Sequence, residues 1–187
     1  MRRPPSWRPF AFPGKGKRVA GEVLVLAVLP ALLALAGGWD LASYTIPNWL
    51  QGLLIAAFAT FAFAVGLSPA VAGSHVLAGL IGLATGFALF ALGYIGGGDA
   101  KLFACVLLWF GFHDALVYVL AASLFGGALT LSLLTLRRVP LPAVLAHQSW
   151  IARLHDAKAG VPYGIALAAG AFAVLPQTEI FRLAAGA

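Results

Sequence analysis

The sequence predicts an all-α, polytopic membrane protein with about six transmembrane helices, and three observations predict it. Of 187 residues, 61% are hydrophobic and only 10% charged, whereas a soluble domain carries about 25% charged residues. A mean hydropathy of +0.95 leaves too few charges to build a surface that faces water. The apolar residues also fall into runs near the length that a helix rising ~1.5 Å per residue needs to cross a core ~30 Å thick. The same composition excludes a nucleic-acid partner, a disordered chain and a disulfide scaffold. The net charge of +6 describes a tail, because six of the twelve basic residues lie in the first 18 positions. With Cys105 the sole cysteine, an internal disulfide and a multi-cysteine zinc site are ruled out.

Residues 1–18 hold four prolines and two glycines among their basic residues, so they read as a flexible tail. They precede an apolar run, as in a signal peptide, but that run is too long and lacks an A-x-A-like site. Residues 19–181 form one six-helix membrane domain, and 182–187 a short C-terminal tail. The runs are Val19–Gly38, Trp49–Leu67, Val71–Ile95, Leu102–Phe112, Ala115–Leu136 and Val161–Leu175. The fourth reaches spanning length only if its helix starts near Gly98, and the sixth stops at Pro176. Gly82-x-x-x-Gly86 and Gly93-x-x-x-Gly97 suit close helix packing, since small residues let backbones approach in lipid. In the polar link 137–160, Ile151–Lys158 suits a short amphipathic helix on the membrane surface.

Only six acids are present. Glu22, Asp114, Asp156 and Glu179 lie near run ends or in polar segments, where solvation accounts for them. Asp40 and Asp99 stand at the edges of apolar helices, and ionisable groups at membrane depth are functional hypotheses by default. Asp40 follows the end of the first helix and Asp99 opens the fourth, so both belong to one membrane face. Two carboxylates sharing a site titrate as a coupled pair, able to activate water and protonate a scissile amide without a covalent intermediate. Asp99 at a helix start suits the ionised water activator, and Asp40 near a helix end the protonated acid. Cys105 sits mid-run with no histidine close in sequence, which suits packing. His75, His113, His147 and His155 show no metal spacing, and no metal or organic cofactor is expected.

These residues resemble the type IV prepilin peptidases. Asp40 followed by Ile46-Pro47-Asn48 resembles their first aspartate motif. Gly96-Gly97-Gly98-Asp99-Ala100-Lys101-Leu102 resembles their G-x-G-D motif with its x-Lys-Leu extension, and Pro162-Tyr163-Gly164 their Pro-aromatic-Gly signature. The order matches as well, and the closest likeness is to the short forms of tight-adherence (Flp) pilus systems. Ser43-Tyr44-Thr45 departs from the pattern by lacking the basic residues often found in that loop.

The resemblance implies a membrane aspartic endopeptidase that removes the basic leader of a prepilin or pseudopilin, with Asp40 and Asp99 catalytic. Ile46, Pro47, Asn48, Gly96, Gly98, Lys101, Pro162, Tyr163 and Gly164 would support the motifs or the substrate. Lys101 suits a headgroup anchor, Pro47 the opening of the second helix, and the glycines a close approach of substrate backbone. Without the cysteine-bearing domain of larger relatives, no N-methyl transfer is implied. The implied setting is a bacterial inner membrane, with the lipid bilayer and the pilus assembly machinery as further partners. The site would then face the cytoplasm and the N-terminus the other side. The positive-inside rule opposes this orientation when applied to the tail, whose six positive charges exceed the five of Lys101 and the 137–160 link. Two alternatives come from other classes. A non-catalytic assembly or channel subunit would use Asp40 and Asp99 as a structural polar pair. A presenilin-like protease would cut within the lipid-spanning helix, but Trp39 precedes Asp40 where that class carries tyrosine.

Overall fold

The computed structural model describes residues 15–185, and residues 1–14 of the tail predicted over 1–18 lie outside them. The all-helical expectation holds. Helix α1 (Lys15–Val23) continues through a π turn at Leu24–Val28 into α2 (Leu29–Ser43). Pro30 in the first turn of α2 cannot donate to the preceding turn, and the widened turn absorbs that loss. The helix begins four residues earlier than the sequence suggested, at Lys15 within the expected tail. It also ends five residues later, so Asp40 lies inside its last turns rather than beyond them.

Helix α3 (Asn48–Val65) closes on Gly66 at φ 68°, and α4 (Pro69–Ala91) opens on the Ser68 hydroxyl, which accepts from the Val71 N–H. Gly79, Gly82 and Gly86 of α4 press on the next helix, where an added Cβ on Gly86 would meet the Ala100 backbone at 3.0 Å. Gly93 does not share in this packing. It sits at φ 78° just past α4, with open space where a Cβ would be. Its role is to end the helix.

The expected fourth and fifth helices form a single 40-residue element, α5 (Gly97–Leu136). A straight helix of that length would reach about 60 Å, twice the hydrocarbon core. Gly111 breaks it, with φ 66° and ψ −171°. The first rod, 97–110, runs antiparallel to α4. The second, 112–136, returns antiparallel to α8 (Tyr163–Val174), where Gly126 faces Tyr163 and Gly170 would drive a Cβ to 2.7 Å from the Ala122 nitrogen. By length and composition, four helices among the described residues can cross a membrane: Val19–Ser43, Asn48–Val65, Pro69–Ala91 and Gly97–Leu136. The apolar stretch Tyr163–Gln177 is shorter.

Side chains brace the break in α5. The carbonyl of Leu108 meets Nδ1 of His75 at 3.0 Å, and that imidazole stacks on Phe58. Trp109, fully buried, donates from Nε1 to the Leu54 carbonyl at 3.0 Å and packs against Phe58 and Phe61. On the outside, Leu116, Leu120 and Leu124 are 68%, 61% and 72% exposed. That surface suits hydrocarbon and not water.

The link is built from α6 (Ala143–Ala146), α7 (Ser149–His155) and a 3₁₀ turn at Ala157–Ala159. The chain closes with α9 (Glu179–Ala185), which runs through the boundary expected at 182. Ile180 and Ala184 are 2% and 0% exposed, so hydrophobic burial orders the segment.

Candidate active site

Asp40 and Asp99 line one cavity of about 260 Å³ at the end of the bundle where α2 stops and α5 starts. Both are buried, at 3% and 6% exposure. They come together because helices entering and leaving one face put a C-terminal turn beside an N-terminal one. Tyr44, Thr45, Ile46, Asn48, Gly96, Gly97, Gly98 and Lys101 complete the walls. A larger groove of about 630 Å³ along the outer side of α2 is lined by Ala31, Ala34, Leu35, Gly38, Trp39 and Ala42, and holds no group that could act as acid, base or nucleophile.

Asp99 occupies the third helical position of α5, where its Oδ2 accepts from the Gly96 N–H at 3.1 Å. Its other oxygen, Oδ1, is buried without a hydrogen-bond partner in the protein. Such an atom is costly unless water or a ligand reaches it. Asp40 has a partner that sequence distance hides. The Gly164 N–H, 124 residues on, donates to Asp40 Oδ2 at 2.7 Å. Gly164 is the second residue of α8, one of the N–H groups that a helix leaves unsatisfied at its start. No side chain fits there, since a Cβ on Gly164 would sit 2.8 Å from Asp40 Oδ2 and 2.9 Å from its Cβ.

This corrects one expectation. Asp40 stands near the C-terminal end of α2, but its carboxylate faces the positive N-terminal end of α8. Asp99 faces the start of its own helix. The helix dipoles therefore do not separate the two carboxylates. Their hydrogen bonding does, because only Asp99 keeps a buried oxygen unpartnered.

The supporting motifs converge on the same place. Ile46, buried at 6%, packs under Gly98, where a Cβ would meet the Ile46 Cβ and nitrogen at 3.2 Å. Packing thus accounts for glycine at 98. Pro47 caps α3 and Asn48 opens it. Lys101, expected as a headgroup anchor, donates from its Nζ to Asn48 Oδ1 at 2.8 Å and ties the first motif to the second. Tyr163 packs beside Gly126, with its hydroxyl 3.4 Å from Thr130 Oγ1, and Pro162 caps α8.

Two residues at the site escaped the motif reading: Gln51 behind the wall and Tyr44 in it. Gln51, 5% exposed, donates from Nε2 to the Gly98 carbonyl at 3.0 Å. A glutamine one turn after Asn48 in an apolar run was the available signal. Tyr44 is the one non-glycine with positive φ among the described residues, at 56°. Its hydroxyl is buried without a hydrogen bond. Burial lifts this phenol above its ordinary value, against the pull of the neighbouring Arg137.

The remaining candidates lie elsewhere. Cys105 is buried in the core with its Sγ 3.9 Å from the Gln51 carbonyl. Asp114, expected at a solvated surface, is 6% exposed at the opposite end of the bundle. It accepts from the Glu179 N–H at 3.0 Å and pairs with His113 Nδ1 at 2.9 Å. No group of three metal-ligating side chains occurs among the described residues.

A family model described as the type IV leader peptidase family matches residues 27–131, which include Asp40 and Asp99 and stop short of Gly164. No curated protein and no solved structure matches the chain. The match covers more than half of the chain and takes in both aspartate motifs that the fold brings into one cavity, so the chain belongs to the type IV leader peptidase family.

Proposed function

We propose that this protein is an aspartic endopeptidase that removes the basic leader of a prepilin or pseudopilin of the Flp type, using Asp40, Asp99 and a water molecule. The observation that carries this reading is the shared cavity, with two buried carboxylates, a helix N-terminus directed at Asp40 and an unpartnered oxygen on Asp99. Ionised Asp99 takes one proton from water through Oδ1, and the resulting hydroxide adds to the scissile carbonyl carbon. Asp40, protonated on the oxygen away from Gly164, gives its proton to the amide nitrogen as the C–N bond breaks. The products are a carboxylic acid and an amine. The dyad ends with its proton on the other aspartate, and one transfer resets it. No metal enters the scheme, and no methyl transfer follows cleavage.

The cavity opens at the end of the bundle that carries Lys101, Arg137, Arg138, Arg153 and Lys158. That end is cytoplasmic in this proposal, in a bacterial inner membrane, and cleavage falls at the edge of the substrate helix. Lys15, Lys17 and Arg18 then lie on the opposite side with Arg182. Reporter fusions at Arg18 and Arg153 test the orientation, and a cytoplasmic Arg18 would reverse it.

Co-expression with an Flp-type prepilin tests the chemistry through the gel shift of the processed pilin. Wild type is expected to process it, and Asp40→Asn and Asp99→Asn, at equal protein levels, to leave it uncut. Processing in either variant would remove the dyad from the mechanism. No processing of a cognate prepilin by wild type would favour a non-catalytic membrane subunit.

A further inference from the structure

Arg137 ends the second rod of α5 on the face that carries the cavity. Its hydrogen bonds go to main-chain carbonyls in the link that follows. Nε donates to the Leu154 carbonyl at 2.8 Å, and a terminal nitrogen donates to the carbonyl of Gly160. Leu154 lies in the last turn of α7, where carbonyls lack an intrahelical partner. Gly160 has φ 77° and ψ −156°, a conformation that side chains disfavour, and it stands four residues before Gly164. The guanidinium also lies beside the Tyr44 hydroxyl, in the short loop between Asp40 and α3. One cation therefore bonds the segment that leads into the N–H donor of Asp40 and lies near the segment that leaves Asp40.

We infer that Arg137 is a positioning residue of the active site, which clamps the link at Leu154 and Gly160 and so holds the Gly164 N–H against Asp40. It acts through Gly164 and does not touch substrate. The planar fork of arginine spans two carbonyls, whereas a lysine ammonium on a flexible stem gives up that geometry. Misplacing Gly164 would move Asp40, and a displacement of about 1 Å at a reacting group can cost ~100-fold in rate. The inference rests on the peptidase reading above.

The test uses the full chain in detergent–lipid micelles, with a synthetic prepilin peptide containing the leader and the start of the apolar helix. Wild type, Asp99→Asn, Arg137→Ala, Arg137→Lys and the neighbouring Arg138→Ala are compared. Both Arg137 variants are expected to lose roughly 10- to 100-fold in kcat, with KM held within about threefold and one limb of the kcat pH profile displaced. Arg138→Ala is expected to match wild type. If Arg137→Ala does not fold, Arg137→Lys carries the test. Full kcat with a wild-type pH profile in Arg137→Lys overturns the clamp, as does a rise in KM alone. If wild type itself leaves the peptide uncut, the peptidase reading fails and this inference with it. If wild type cuts, Asp99→Asn does not and the Arg137 variants match wild type, only the positioning role fails.

Discussion

The two ends of the helical bundle each bury aspartate, and they treat it in opposite ways. At one end Asp114 has both oxygens occupied, one by the Glu179 N–H and one by His113, and it anchors the start of α9. At the other end Asp99 keeps one oxygen unpartnered in a cavity that it shares with Asp40. Burial is nearly the same for all three, at 3–6% exposure. Burial therefore does not distinguish a structural carboxylate from one proposed to be catalytic. What distinguishes them is whether the protein completes the hydrogen bonding or leaves part of it to a substrate or water.

The difference is open to direct attack. The largest effect is expected from Asp40→Asn and Asp99→Asn, each lowering prepilin cleavage about a thousandfold or more, in the range that general acid–base groups supply. Gel-shift kinetics at matched protein levels would measure it. Next comes Gly164→Ala, whose Cβ would collide with Asp40. A loss of about 100-fold in kcat is expected, and wild-type kcat would mean that the Gly164 N–H is dispensable. Lys101→Met removes the bond to Asn48 that joins the two motifs, and a three- to tenfold fall in kcat/KM corresponds to the ~0.5–1.5 kcal/mol of one net hydrogen bond. The smallest effect on rate belongs to Asp114→Asn, which should cleave within about twofold of wild type while losing roughly 1–3 kcal/mol of stability. Thermal unfolding in detergent would report that loss. A large drop in cleavage without a change in stability would place Asp114 in the chemistry and erase the contrast.

The same contrast explains which readings of the sequence survived. Asp40 and Asp99 were legible because carboxylates are rare beside long apolar runs and because Ile46-Pro47-Asn48 and the 96–98 glycines flank them. Asp114 was read as a surface group because its neighbours His113 and Phe112 mark a run boundary. Its partner, the backbone of Glu179, is 65 residues away and has no side-chain signature. The bond between Lys101 and Asn48 was hidden for a similar reason. The chemistry of the lysine suits a headgroup and an asparagine equally, and only the fold puts Asn48 within 2.8 Å.

The sequence by itself determined the all-helical membrane class, because a mean hydropathy of +0.95 admits no water-facing fold, and it marked the pair of aspartates. Helix periodicity and apolar run length are local properties, so they can be read without coordinates. Tertiary structure decided that Gly111 folds one 40-residue helix back on itself, that α8 directs its first free N–H groups at Asp40, and that Arg137 ties the preceding link in place. These contacts join residues up to 124 positions apart. They depend on which small residues let helices approach and on where a helix start comes to rest, and neither is encoded in any one segment.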